Sequence, residues 1–269
     1  ISGSFFGLEP SVFFAQRDWS LFEGGKRTLQ YRERRYGGTV RLTHELARWG
    51  EISLGFLSQQ VEIIPLYGGS ITQHPGERLG GIHVDFETDD LDDGTFPTVG
   101  KYMRASLLTV SYALGGTMNF SKFSTDLFTC MSPSPLHTIG LSGGFGFGSA
   151  DVPFYERFVL GGMSYVPGYR QLIGYEREEF LGRHFVSLGS FYRAKILSIR
   201  GSFLKALYGL LHAQVGGAWD EYARMSSDTF KPGAGAGLHL STLLGSMRLD
   251  GGWGESGRWS LYFTAGYSF

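Results

Sequence analysis

In Trp259-Ser-Leu-Tyr-Phe-Thr-Ala-Gly-Tyr-Ser-Phe269 every odd position is Trp, Leu, Phe, Ala, Tyr or Phe. The even positions are Ser260, Tyr262, Thr264, Gly266 and Ser268. Side chains two apart share one face of a strand, so this segment has one continuously apolar face and one small or polar face. The pattern recurs upstream. Met247, Leu249 and Trp253 alternate with Arg248, Asp250 and Gly252, and Ala234, Ala236, Leu238 and Leu240 alternate with Gly235, Gly237, His239 and Ser241. Read in this way the chain resolves into about twelve strands. They cover residues 4–16, 27–46, 51–66, 80–90, 101–113, 117–130, 136–147, 182–195, 205–219, 231–242, 245–254 and 259–269. Most are about ten residues or longer, against the 5–6 usual in soluble sheets and close to the 9–11 that a tilted strand needs to cross a bilayer.

The polar faces decide which side is outside. They carry Thr39, Arg41, Thr43 and Glu45; His83, Asp85, Glu87 and Asp89; Arg183 and Arg193; His212 and Gln214. No strand has the doubly apolar pattern of a sandwich centre. An all-β, transmembrane antiparallel barrel is expected, with greasy faces in lipid and a polar interior, the alternative being a soluble β protein. Trp19, Trp219, Trp253 and Trp259 are expected at the extracellular end and Trp49 at a periplasmic turn, as interfacial belts favour. Short turns are expected at 47–50, 132–135 and 243–245, and longer loops at 67–79 and 149–181. The 41 glycines and 15% aromatic content fit this class, and a net charge of −1 argues against nucleic acid as a partner. The lone Cys130 excludes an internal disulfide framework, and no apolar run is long enough for a transmembrane helix. Ile1-Ser2-Gly3 has no signal-like pattern, so a targeting segment is expected upstream or removed.

Phe154-Tyr-Glu-Arg-Phe-Val-Leu-Gly-Gly-Met-Ser-Tyr-Val-Pro-Gly-Tyr-Arg170 resembles the loop of the BamA/TpsB superfamily of outer-membrane assembly and secretion proteins, Phe-Tyr-x-x-Phe-x-x-Gly-Gly followed by Val-Arg-Gly-Phe/Tyr. Leu91-Asp-Asp-Gly-Thr-Phe-Pro-Thr-Val-Gly100 resembles that family's Leu-Asp…Phe-Pro-Thr-x-Gly turn. Residues 233–249 resemble its penultimate hairpin, and Phe269 its terminal aromatic. The matches keep the family's order over residues 82 to 269.

The resemblance implies one outer-membrane barrel over 1–269, with loop 148–181 folded inward. It implies a family barrel of about sixteen strands, of which this chain supplies the C-terminal part; the first four are expected upstream of Ile1, the alternative being closure with twelve. Gly161, Gly162, Val166, Pro167, Gly168, Tyr169 and Arg170 form the loop motif. Gly140, Ser142, Gly144, Gly146, Gln214, Gly235, Gly237 and Arg248 line the lumen wall, and Tyr262, Gly266, Tyr267 and Phe269 carry the assembly signal. In the family an arginine of the loop pairs with acidic groups on inner strand faces. Here Pro167 takes the arginine's place, Arg170 follows three residues later, and Gln214 stands at the expected acidic position. Arg170 is therefore expected to make some other contact inside the barrel. The bare faces of 136–147 and of Gly233, Gly235 and Gly237 suit a closely approaching loop backbone.

Enzymatic signatures do not hold. Gly140-Leu-Ser142-Gly-Gly144 fits Gly-x-Ser-x-Gly, but it lies within an alternating strand, where the nucleophile elbow needs a strand-to-helix turn. His137 and His83 lack the serine spacing of outer-membrane phospholipase A. Asp89, Asp90, Asp92 and Asp93 lack the EF-hand spacing and read as a turn. Arg32, Arg34 and Arg35 read as a solvated face, the alternatives being lipopolysaccharide phosphates or the lumen. No catalytic residue, cofactor or metal is assigned.

The expected function is polypeptide translocation, most like the translocator of a patatin-type (PlpD-like) autotransporter exporting a lipase encoded upstream. A two-partner secretion transporter or BamA/TamA-type insertase is the alternative, and a phospholipase-type enzyme barrel the second. Implied partners are outer-membrane lipid and lipopolysaccharide, the exported passenger, and the barrel-assembly machinery through the C-terminal strand; an oligomer is compatible with the sequence.

Overall fold

The computed structural model describes residues 6–68, 74–163, 170–198, 204–221, 226–243 and 245–266. Among them are fourteen strands: β1 (Phe6–Glu23), β2 (Lys26–Glu45), β3 (Glu51–Tyr67), β4 (His74–Asp89), β5 (Gly100–Val110), β6 (Phe120–Ser134), β7 (His137–Gly148), β8 (Phe158–Leu160), β9 (Phe180–Gly182), β10 (His184–Ser198), β11 (Leu204–Trp219), β12 (Lys231–Thr242), β13 (Gly245–Trp253) and β14 (Trp259–Gly266). Twelve form one antiparallel sheet in the order β1-β2-β3-β4-β5-β6-β7-β10-β11-β12-β13-β14, and β8 pairs with β9 in a separate two-stranded sheet. The remaining elements among the described residues are single 3-10 turns.

The chain divides into two compact units. The first comprises residues 1–88, 104–125 and 146–157. Here β1 and β2 pair from Phe6↔His44 to Glu23↔Lys26, and β2 pairs with β3 down to Glu45↔Glu51. Gly24 and Gly25, both at positive φ, make the two-residue hairpin turn that right-twisted strands require. Val12, Phe14, Val40, Leu42, Leu54 and Phe56 are exposed, whereas Trp19, Tyr31, Glu33, Ser53 and Gln59 are buried.

The second unit comprises 89–103, 126–145 and 158–269. It repeats the inversion. Leu141, Leu188, Leu211, Leu238, Leu249 and Phe263 are exposed, while Thr138, Arg193, His212, Gln214, His239 and Asp250 are buried. A water-soluble sheet protein buries the opposite set. The arrangement is stable where hydrocarbon covers the apolar face and the backbone polar groups are paired along the strands.

Several boundaries differ from the sequence reading. β1 runs to Glu23 rather than 16, because its ladder with β2 continues after the apolar alternation stops; on the exposed face Asp18 and Arg32 form a two-pronged ion pair at 2.7 and 3.0 Å. β4 begins at His74, and β6 runs from Phe120 to Ser134, which shortens the turn before β7 to Pro135–Leu136. The basic run divides by alternation. Arg32 and Arg34 reach Asp18 and Gln16, whereas Arg35 faces Glu33 on the buried side. Two tryptophans depart from the interfacial belt: Trp19 is buried and donates to Glu33 at 2.5 Å, and Trp219 is buried beside His184 and Phe230. Trp49, Trp253 and Trp259 are exposed.

The inverted faces give a direct test. Leu141→Arg places a cation on the apolar face of β7 and is expected to destabilise the protein folded in bilayers by about 2–4 kcal/mol, measured by urea titration in liposomes. Ser142→Arg, on the polar face, is expected to leave heat-modifiable gel migration in place.

Candidate functional site

The site is the segment between β7 and β10 together with the strand faces that hold it. Its first part belongs to the first unit. Phe154, Tyr155 and Glu156 form a 3-10 turn, and Glu156 is buried. Arg35 Nη1 lies 2.5 Å from Glu156 Oε1, and Lys122 bonds the other carboxylate oxygen. Tyr155 donates its hydroxyl to Glu77, and Phe154 packs edge-on against Tyr31 at 5.1 Å. Burial pushes the Glu156 carboxyl up, but the Lys122 and Arg35 cations outweigh it and hold the group at about 2.

The second part belongs to the second unit. Gly161 and Gly162 both have positive φ, and Gly162 bridges to Leu172, so the glycine pair turns the segment back on itself. Leu160, Leu172 and Tyr175 then form a fully buried cluster with Phe180 packed against it. Arg170 Nη2 lies 3.6 Å from Asp126 Oδ2 on β6, and its guanidinium sits over Phe158 and Phe185 at 4.9 and 4.5 Å. An arginine–carboxylate contact is thus made by this loop, from Arg170 and to a strand that the sequence reading did not single out. Gln214 instead accepts the backbone N–H of Ile173 at 2.7 Å.

The loop backbone continues along β12–β14. Tyr262 Oη accepts from Gly174 N at 2.9 Å and donates to the Tyr175 carbonyl at 2.7 Å. Tyr175 Oη donates to the Pro232 carbonyl and accepts from Glu255 N, both at 2.9 Å. Arg258 grips Glu179 through two bonds of 2.6 and 2.9 Å. A Cβ at Gly233 or Gly235 would strike Ile173, and one at Gly252 would strike Ile173 and Gly174. These glycines leave the room that the loop occupies. Gly140 on β7 has another neighbour: its missing side chain makes space for the Phe191 ring, which stacks on Phe128 at 5.7 Å.

At residues 90–99 the acidic run caps its own turn, as Asx side chains do. Asp92 Oδ1 accepts from Thr98 N at 2.7 Å and from Val99 N at 3.1 Å. Asp93 Oδ1 accepts from Thr95 N and Phe96 N, both at 2.7 Å. Burial raises the Asp92 carboxyl, and bonds from Thr98 and Val99 outweigh it, leaving the group lowered. Arg193 of β10 reaches the carbonyls of Phe96 and Pro97 at 3.3 and 2.5 Å. Between this turn and the loop lies a cavity of about 70 Å³, lined by Ser142, Gln171, Arg193, His212, Gln214, His239 and Arg248 among others.

The sequence-predicted residues are therefore only partly gathered. Gly161, Gly162, Arg170, Gln214, Gly235 and Tyr262 contact or shape the loop. Arg248 and Ser142 line the cavity, Gly237 sits against Asp250, and Gly266 pairs with Ser246 on β13. Gly144 and Gly146 are buried in β7. Val166, Pro167, Gly168, Tyr169, Tyr267 and Phe269 lie outside the described residues. Ser142 sits inside strand β7, not at a strand-to-helix turn, so the nucleophile-elbow geometry is not met. Sequence reasoning missed Asp126, Ile173, Tyr175, Glu179 and Arg258. Asp126 was the most accessible of these, as the one carboxylate in the alternating segment 120–130.

Apolar-out, polar-in strands carrying a loop bound to their polar face define a transmembrane antiparallel β-barrel of the outer membrane. The Omp85 superfamily domain matches residues 6–269, and the chain belongs to that superfamily. The fold resembles BamA from Haemophilus ducreyi lacking POTRA domains 1–3, with a TM-score of 0.76 at 14% identity over 98% of this chain. It also resembles CdiB from Escherichia coli, with a TM-score of 0.65 at 12% identity over 97% of this chain. The chain spans 59% and 49% of those two structures. Among curated proteins none matches it.

Two outcomes follow from the loop contacts. Tyr262→Phe removes both hydroxyl bonds to Gly174 and Tyr175, and is expected to weaken loop docking by about 1–3 kcal/mol, measured as faster hydrogen exchange at 172–176. Glu156 has a depressed pKa, so its stabilising ion pairs are complete above the ordinary 4.5 and are lost as pH falls toward about 2. Proteolytic protection of 148–157 is expected to fall across that window in the wild type and to lose this pH step in Glu156→Gln.

Proposed function

We propose that the chain is a polypeptide translocator: the barrel of a patatin-type autotransporter, exporting a lipase passenger carried upstream on the same polypeptide. The observation that carries the translocator reading is the loop bound on the inner strand face in a barrel of the Omp85 superfamily. Its hold includes separable contacts: one backbone bond to Gln214, the pair at Tyr262, the Tyr175 contacts, and the Glu179–Arg258 and Arg170–Asp126 ion pairs. A polar, water-accessible interior supplies an exporting segment with hydrogen bonds that lipid cannot. Displacing the loop gives that segment the space vacated beside Gly233, Gly235 and Gly252.

The residues assigned to this role are Gly161, Gly162, Val166, Pro167, Gly168, Tyr169 and Arg170 in the loop, with Gln214, Gly235, Gly237 and Arg248 on the wall. Gly140, Ser142, Gly144 and Gly146 complete the wall on β7. Tyr262, Gly266, Tyr267 and Phe269 are assigned to recognition by the assembly machinery. The patatin-type assignment rests on the compact loops, on Val166-Pro-Gly-Tyr-Arg170 in place of the family's Val-Arg-Gly-Tyr, and on the small barrel that the strand count implies. No chemistry on a substrate is assigned to this chain. Release of β14 from β13 is the second element of the mechanism. Gly266 contributes no side chain to that pairing, and its carbonyl accepts from Ser246 Oγ at 3.1 Å.

The test uses the full polypeptide. Met247→Cys with Ala265→Cys joins cross-strand partners of β13 and β14. Surface lipase activity is expected to fall at least about tenfold when the disulfide forms and to return on reduction. Unchanged export in the oxidised protein would remove strand release from the mechanism. Loss of other outer-membrane barrel proteins on depletion of the chain would favour an insertase instead.

A further inference from the structure

Three inward side chains of the second unit converge on one point: His212 of β11, His239 of β12 and Asp250 of β13. The strand register brings them together, since His212 is opposite Gly235, Gly237 is opposite Asp250, and His239 is opposite Arg248. Their exposures are 9%, 5% and 1%. Both imidazole Nε2 atoms lie 3.5 Å from the same carboxylate oxygen, Asp250 Oδ1. The usual N–H···O range is about 2.7–3.2 Å, and none of the three atoms makes a hydrogen bond of ordinary geometry. Buried polar atoms left in this state are costly.

We propose that His212, His239 and Asp250 bind a divalent transition-metal ion of the Zn²⁺ type. A tetrahedral zinc has ligand distances of about 2.0–2.2 Å, which sets its ligand–ligand edges at about 3.4 Å. The two observed edges of 3.5 Å match that figure. Two imidazoles and one carboxylate form a donor set suited to Zn²⁺ and neighbouring first-row ions. All candidate ligand atoms lie within 4.8 Å of one another.

The surroundings fit this use. Arg248 Nε approaches the other carboxylate oxygen, Oδ2, at 3.3 Å, which orients Asp250 and leaves Oδ1 for the metal. A Cβ at Gly237 would fall on Oδ1, so glycine there is what admits the carboxylate. His212, His239 and Arg248 border the cavity beside the acidic turn. Its volume of about 70 Å³ leaves room for water or an exchangeable anion in the fourth position. A metal here clips three consecutive strands, β11 to β13, which also bind the loop. Sequence alone gives neither histidine a role, because two lone histidines on neighbouring strands carry no motif spacing.

Cobalt is the probe, because tetrahedral Co²⁺ gives intense visible bands that octahedral aqueous Co²⁺ lacks. Wild-type protein folded in detergent is expected to show these bands at one equivalent, and to lose them when Zn²⁺ is added. His212→Gln, His239→Gln and Asp250→Asn are each expected to weaken Zn²⁺ binding by more than the roughly 10–100-fold that loss of an outer-shell partner costs. Heat-modifiable migration identifies the variants that fold. A wild-type Co²⁺ spectrum without tetrahedral bands overturns the proposal whether or not they do. Zn²⁺ affinity equal in wild type and in the folded histidine variants overturns it as well, by placing binding at exposed groups. Either result leaves the translocator reading standing, since that reading rests on the loop contacts.

Discussion

The structure depends on a strand whose two faces meet two different solvents. A strand offers neighbouring side chains to opposite sides, and a bilayer has no water to pair a bare backbone. Among the described residues each long strand therefore pairs with one or two neighbours, and most of the large exposed side chains on these strands are apolar. The exposed run of Leu238 and Leu249, across from Phe263, is continuous because β12, β13 and β14 hold one register. A slip of one residue would place Asp250 and His239 in hydrocarbon, so burial pins the pairing more firmly than the backbone bonds alone.

An interior made from the polar faces has to satisfy its own charges. Glu156 is held between Arg35 and Lys122, Glu179 by Arg258, and Asp126 by Arg170. Arg193 turns to the carbonyls of Phe96 and Pro97. Most of these pairs join residues far apart in the chain. They hold the loop and the acidic turn on the strand faces through specific pairwise contacts.

The Omp85 assignment and the loop describe one another. The glycine pair Gly161–Gly162 allows the reversal that brings Leu172 back to Leu160, and the glycines at 233, 235 and 252 give Ile173 its seat. Where the loop motif departs from the family pattern, at Pro167, the loop's cation–carboxylate contact comes from Arg170, and its partner is Asp126 on β6. Gln214, at the position expected to be acidic, serves the loop through a neutral bond to Ile173 N.

Period two made the strands, their faces and the order of the hairpins legible in the sequence, since face alternation is a local property of each segment. Trp259–Phe269 alone showed which side is apolar. The glycine face of Gly233 and Gly235 and the motif around Gly161 and Gly162 marked the loop and its seat. The strand ends at Glu23 and His74 were hidden, because a ladder can outlast its hydrophobic pattern. Burial of Trp19 and Trp219 was hidden too, because an interfacial and an inward tryptophan have the same sequence context. Only the tertiary structure joined Arg170 to Asp126, Tyr262 to Tyr175, and His212 and His239 to Asp250. Those meetings are set by register and by the path of the loop, which bring together residues whose separation along the chain carries no periodic signal.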